Sequence, residues 1–260
     1  MFKKDFKSRL KEITSPVLFF FGILIAWEIL VLIFKVPEYL LPKPTRIIAE
    51  FSANFSSLSY HIAITLLEAL IGYIIANILG FITAVIFAHS KTAEKGLYPY
   101  AIALKTTPLI AIAPLLILWF GSGIASKSAA SALICFFPIL VNTVKGLKTL
   151  DDEVLDLFRS FSASQWQIFI KLRLPNSLPY IFSALKISTG LSIIGAVVGE
   201  FVGANKGIGF VILTSSYYFE TAKMFAAVTM AALAGLLFFY VVSFIEEKVI
   251  FWQKDSLERY

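Results

Sequence analysis

From Met224 to Ile245 the chain reads MFAAVTMAALAGLLFFYVVSFI, with no charged side chain. A bilayer core is crossed by roughly 20 consecutive apolar residues in a helix, so this stretch has one natural environment. Five more blocks of the same kind precede it, giving expected spans at about 16–35, 61–88, 97–121, 128–146, 180–202 and 223–245. Hydrophobic residues make up 58% of the 260 and charged residues 15%. A soluble domain has about 45–50% and about 25%. The expected fold is therefore all-α: a polytopic membrane protein with six transmembrane helices. The net charge of +6 raises the question of nucleic acid, but the basic residues flank the apolar blocks, so lipid is the expected partner and nucleic acid is not. The single cysteine, Cys135, excludes an intramolecular disulfide and a cysteine metal cluster within one chain.

The basic residues also orient the spans. The N-terminus, the 88–96 loop, the 145–173 stretch and the C-terminus together hold 15 Lys and Arg, among them Lys3, Lys91, Lys148 and Arg259; the opposite side holds six, Lys35, Lys43, Arg46, Lys127, Lys206 and Lys223. The positive-inside rule then places both termini in the cytoplasm. The opening MFKKDFKSRLK is basic like a secretory leader, but the apolar run from Pro16 to Phe34 is long and no small-x-small site follows. It reads as a retained first span. The expected organisation is a cytoplasmic segment over 1–15, a membrane domain over 16–250, and a cytoplasmic tail over 251–260. In the outward segment 36–60, Pro37, Pro42 and Pro44 enforce extended chain, and Thr45 is a candidate N-cap for a short helix.

The cytoplasmic stretch of about 147–179 is amphipathic. DDEVLDLFRSF places Val154, Leu155, Phe158 and Phe161 at helical spacing behind three carboxylates, which suit a helix N-terminus. SASQWQIFIKLRLP follows, with Ser162 or Ser164 as a cap, Trp166, Phe169, Ile170 and Leu172 on an apolar side, and Pro175 as the expected stop. Two short helices joined by FSAS must bury their apolar faces on lipid, on neighbouring spans or in a partner's groove.

This stretch resembles the cytoplasmic loop signature of bacterial ABC-transporter importer permeases: Glu-Ala-Ala, three residues, Gly, nine residues, Ile-x-Leu-Pro. Leu172-Arg173-Leu174-Pro175 matches its end, Asp156 stands at the acid, and Ser162 stands at the Gly. The Gly permits a tight turn, and Ser at that place is expected to need a different backbone. LLPKPTRIIAEF, ALKTTPLIAIAPLLILWFG, FFPILVNTVKGL and GAVVGEFVGANKGIGFVI are similar to the permeases of nitrate, taurine, alkanesulfonate and vitamin-precursor importers. The resemblance implies a subunit that forms the translocation pathway by alternating access. It also implies a homodimer in the bacterial inner membrane, ATP-binding subunits on the cytoplasmic loops, and an extracytoplasmic solute-binding protein. Asp156, Phe158, Arg159, Phe161, Ser162, Ala163, Trp166, Leu174 and Pro175 become the expected ATPase-coupling residues. ATP and Mg would be bound by the partner, with no cofactor on this chain. FFPILVNTVKGL and GAVVGEFVGANKGIGF lean toward the vitamin-precursor branch.

Ionisable groups within spans are costly and usually face the bundle interior or a cavity. Lys105, Pro108, Pro114, Glu200, Gly203, Gly207 and Gly209 are the expected pathway or gating residues. Pro108 and Pro114 should kink or break the third span, leaving carbonyls that line a cavity. Gly195, Gly199 and Gly203 recur every four residues and should form a flat helix face. Glu28 and Glu68 are expected to pair or to reach an interface, and Lys186 to reach back to headgroups. His61 and His89 are far apart, and the chain lacks a His-Glu-x-x-His, a Gly-x-Ser-x-Gly and a phosphate loop. An enzyme is therefore not expected. A stand-alone secondary transporter or channel is the alternative, weakened by the absence of an inverted repeat.

Overall fold

The computed structural model describes the backbone of residues 2–253 and the side chains of residues 14–252. The basic side chains at the extreme N-terminus, and Lys254 and Arg259 in the expected tail, lie outside the described residues. The chain forms two compact units, one from residues up to Ser59 together with Val211–Thr229, the other from Tyr60–Phe210 and Met230 onward.

The first unit opens with α1 (Phe2–Ile33), of which Thr14–Ile33 is long and apolar enough to span a membrane and is almost unburied. Among its neighbours, Trp27 meets Phe225 with ring centroids 5.7 Å apart. The helix α2 (Pro44–Ala53) starts one residue before the expected cap. Pro44 takes the first helical position, where a missing N–H costs nothing, and Lys43 precedes it without a side-chain cap. Thr45 is thus inside the first turn. Glu28, from α1, accepts the Thr45 backbone N–H at 3.1 Å and its hydroxyl at 2.8 Å, so a carboxylate borrowed from another helix satisfies the end that Lys43 leaves open.

The second unit is built on α3 (Phe55–His89), α6 (Ile124–Lys148) and α9 (Leu174–Phe201), joined by the later part of α11 (Thr221–Val249). Lipid gives apolar side chains no reason to prefer one another, so spanning helices associate through close packing of small residues. Here a Cβ on Gly72 would fall 2.4 Å from the Ser128 carbonyl, and one on Gly195 2.6 Å from Ser131 Cα. Gly80 packs on Ile139 and Gly199 on the Lys127 backbone in the same way. Cys135, Ala76, Ile139 and Ala184 fill the centre between them. Gly203 is not part of this face: it lies beyond the end of α9 with φ +74°, in a turn. Lys186 does not run to headgroups. It pairs with Glu246 of α11 at 2.6 Å, both partly buried.

Among the described residues five helices are long and apolar enough to cross a membrane, and a bent pair makes up to a sixth. That pair is the third span, which breaks at one of the two expected prolines: α4 (Lys91–Thr106) and α5 (Leu109–Phe120) are bent by 101° at Thr107 and Pro108. Pro114 lies within α5 and does not break it.

The cytoplasmic stretch also differs from the expectation. α7 (Asp152–Ser160) and α8 (Gln165–Ile168) form, but Pro175 does not end the second helix. A π-helical turn, Phe169–Arg173, joins α8 directly to α9, with the Leu174 N–H donated to the Phe169 carbonyl. A proline ring in an α-helix collides with the carbonyl four residues earlier. The widened turn contains that carbonyl, Lys171, and lets the helix pass through Pro175 uninterrupted.

Candidate functional site

Three places gather the sequence-predicted residues. The first is the elbow between α7 and α8. Asp151 caps α7, its side chain accepting the Glu153 N–H at 3.0 Å. At the far end, Ser162 donates its N–H to the Arg159 carbonyl at 2.9 Å and Ala163 to the Phe158 carbonyl at 3.1 Å. This is a Schellman ending, with Ser162 at φ +54° where glycine is usual. Serine therefore adopts the glycine-like backbone itself, against the expectation of a different one. Ser164, not Ser162, caps α8, through a reciprocal capping box with Gln167.

α7 buries none of its side chains. Phe161 is 77% exposed and Trp166 68% exposed. Phe158, Ala163, Leu174 and Pro175 are half-buried, while Asp156 and Arg159 are exposed and paired to each other at 3.0 Å. Ile168 and Phe169 turn inward, and Trp166 stacks outside Phe169 at 5.9 Å, so the two aromatics expected on one face are separated into base and tip. The base is held from several sides. Arg173 donates to the Leu147 carbonyl at 3.1 Å, Asn176 donates to the Thr149 carbonyl, and Lys148 pairs with Glu94 of α4 at 2.5 Å. An exposed apolar elbow on a fixed base is suited to receiving or transmitting a push.

The second place is a buried polar cluster around the start of α10 (Ile208–Tyr217). Glu200, near the end of α9, is 1% exposed. Its carboxylate accepts the Thr65 hydroxyl at 2.6 Å, the Gly209 N–H at 2.5 Å, and the Phe210 N–H. Thr65 in turn accepts the Ile208 N–H at 2.8 Å, and His61 Nδ1 accepts the Gly207 N–H at 3.1 Å. All the opening N–H groups of α10 are thereby taken up by side chains of α3 and α9. Gly207 and Gly209 exist for this contact. A Cβ on Gly207 would fall 2.2 Å from the Glu200 carboxyl, at φ +104°, and one on Gly209 2.8 Å from the same group. Glu68 is 4% exposed rather than at an interface. Its carboxyl abuts that of Glu200, and its Oε2 meets no donor among the described residues. Lys127, 2% exposed in the first turn of α6, lies close enough to act on both acids and donates to the Ser122 carbonyl. Sequence reasoning found Glu200 and the two glycines. It missed His61, Thr65 and Lys127, and it left Glu68 between a pair and an interface, its only signal being a charge inside a span.

The third place is the α4–α5 break. Thr106 and Thr107 hydroxyls both donate to the Ala103 carbonyl, at 3.0 and 2.9 Å, and Lys105 Nζ stands 4.6 Å from the centroid of the Phe137 ring. Lys105 and Pro108 border one cavity; Pro114 does not.

Residues 76–250 match the family described as binding-protein-dependent transport system inner membrane component. The formylaminopyrimidine transport permease protein ThiX of Halalkalibacterium halodurans is 35% identical over 243 residues, covering 93% of this chain and 97% of that protein. The riboflavin transport system permease protein RibX of Chloroflexus aurantiacus is 34% identical, covering 89% and 87%. Among solved structures, an inward-facing MetNI methionine ABC transporter chain superposes with a TM-score of 0.64 at 15% identity, over 76% of this chain and 96% of that one, a likeness of fold. The chain belongs to the binding-protein-dependent transport system inner membrane components, the multi-pass permease subunits of ABC importers.

Proposed function

We propose that two copies of this chain frame one pathway through the membrane, driven by ATP-binding subunits that seat the α7–α8 elbow, with a solute-binding protein delivering substrate on the other side. Both termini and the elbow are cytoplasmic in this reading, as the distribution of Lys and Arg supports. Nucleotide and Mg belong to the partner, since the chain carries no phosphate loop. The observation that carries the reading is the elbow: Phe161 and Trp166 stand free at its tip while Arg173, Asn176 and Lys148 fix its base. Such a lever moves α6 and α9 when it is pushed. The identity to the formylaminopyrimidine permease supports a small vitamin-precursor heteroaromatic as substrate. The buried Glu200 cluster holds the loop before α10 in one shape and serves the pathway as a structural or gating element.

Truncating a buried interface aromatic costs about 2 kcal/mol or more, roughly thirtyfold in affinity. Phe161→Ala or Trp166→Ala should therefore weaken co-purification of the ATP-binding subunits and uncouple hydrolysis from uptake, without changing the melting temperature of the chain. A variant that keeps full ATPase binding and coupled uptake, or that loses only membrane stability, would refute the docking role.

A further inference from the structure

A break in a membrane helix is informative because lipid cannot satisfy free peptide groups. Non-helical backbone at membrane depth is tolerated where it is buried in protein or lines a watered cavity. Thr107 and Pro108 form such a break, with backbone extended at both residues. Beside it lies a cavity of about 620 Å³ whose other walls come from the middle of α6 and the middle of α9. Both helices belong to stretches long and apolar enough to cross a membrane. Its lining is mostly apolar, with Phe137 and Ile187 as large walls, and its polar groups are few: Lys105, the threonines at the break, and Asn142. Asn142 spends its amide N–H on the Pro138 carbonyl at 2.9 Å. Pro108, the residue preceding α5, offers no side chain to cap it. An ammonium group held over an aromatic ring beside apolar walls is the kind of site that takes a flat ring with one electron-rich edge.

Resting on the importer reading above, we propose that this cavity is a substrate-binding site within the permease itself, taking a small planar pyrimidine. The ring lies against Phe137 and Ile187, and an acceptor edge, carbonyl or ring nitrogen, faces Lys105. The chain would then select its solute a second time after the binding protein has delivered it. A ring against apolar walls displaces little polar hydration, and Lys105, held over Phe137, supplies the one charge-assisted hydrogen bond at the ligand's edge. Specificity at the site comes from that single donor and from the flatness of the walls.

The test uses thiol accessibility in membranes containing the complete transporter. Asn142→Cys is placed in a Cys135→Ala background, with Ile187→Cys as a second reporter on α9 in case the first fails to assemble. Modification by a cationic methanethiosulfonate is timed with and without millimolar formylaminopyrimidine. The expected result is modification at both positions, slowed at least tenfold by the pyrimidine. That protection should be lost in Lys105→Ala and Phe137→Ala and kept in Lys105→Arg. Absence of modification at both positions would mean that lipid or the second copy covers the cavity, and the proposal fails. Modification without protection, or protection indifferent to Lys105 and Phe137, also overturns it. Co-purification of the ATP-binding subunits with the same membranes reports separately on the importer reading, so the two can fail independently.

Discussion

Removing the Glu200 carboxylate should cost several kcal/mol of stability, about 3–5 by the worth of a buried charged network. Its oxygens take the Thr65 hydroxyl at 2.6 Å, the Gly209 N–H at 2.5 Å and the Phe210 N–H, in a site 1% exposed. Hydrogen bonds to charged groups contribute about 1.5–3 kcal/mol each, and a buried donor left without its acceptor bears its full desolvation penalty. Glu200→Ala orphans two backbone donors and deprives Lys127 of a nearby acid. Breaking a buried charged network in this way costs about 3–5 kcal/mol. With a shift of about 2–4 °C per kcal/mol for a chain of this size, the melting temperature in detergent should fall by about 6–20 °C. Hydrogen exchange adds a local readout: the amides of Gly209 and Phe210 should lose protection, while those in the middle of α6 keep theirs. Glu68→Gln makes the opposite test. It replaces one carboxyl oxygen of the abutting pair by an amide N–H that can donate to Glu200, so it should be neutral or stabilising. If Glu200→Ala melts within about 1 °C of the parent and the two amides exchange as before, the cluster does not hold the start of α10.

Other substitutions probe the remaining joints. Gly207→Ala should abolish assembly or uptake, because its Cβ would enter the Glu200 carboxyl at φ +104°; Gly22→Ala and Gly96→Ala, which meet nothing within 4 Å, should be tolerated, as immunoblots and uptake assays would record. Ser162→Gly relieves a left-handed serine that costs about 1–2 kcal/mol, offset in part by chain entropy, so it should preserve coupling, whereas Ser162→Val should lower the ratio of uptake to ATP hydrolysis. Lys186→Ala and Glu246→Ala should each lower the melting temperature, and the double variant should lose less than the sum, since the pair at 2.6 Å is partly buried. Pro175→Ala restores an N–H and permits the π turn to close by one residue, rotating α8 by about 100° on α9 and moving Trp166 off its exposed face, read as lost ATPase binding.

The spans were legible because a bilayer admits few alternatives: long apolar blocks become helices, although some extend further than expected and the third is bent by 101°. α3 begins at Phe55, earlier than its apolar core, with the Leu58 N–H donated to the Asn54 carbonyl at 2.9 Å. Helix rotation was not legible. Glu68 lies in the outer third of a span, where snorkelling is cheap, and only its face on α3 decides between headgroup and interior. That face is set by a partner in α9, with Thr65 and Glu200 meeting across a separation of 135 residues. Lys127 looked like a loop cation because it precedes the apolar core of α6, but Gly199 lets α9 approach its backbone closely and covers it. At the elbow, the motif located the turn correctly. The choice between Ser162 and Ser164 as cap depended on Gln167 completing a reciprocal bond, a pattern the sequence contained but did not rank.

The prolines show why composition alone could not place the break. Pro16, Pro99, Pro114, Pro138 and Pro179 all sit inside helices, whereas Pro108 separates α4 from α5. Each proline removes one donor and strands one carbonyl, so the outcome depends on what replaces the donor. Before Pro108 stand Thr106 and Thr107, and both hydroxyls, together with the Thr107 N–H, converge on the Ala103 carbonyl. Two hydroxyls and an amide thus gather on that one carbonyl, and the residue before a proline already favours extended backbone. The helix therefore stops there, and the chain turns by 101°. At Pro175 the surroundings act in the opposite sense: Arg173 and Asn176 tie that turn to the end of α6, so a widened turn is less disruptive than a break. The break and the lever thus follow from the same chemistry, applied where neighbouring side chains release the backbone and where they hold it.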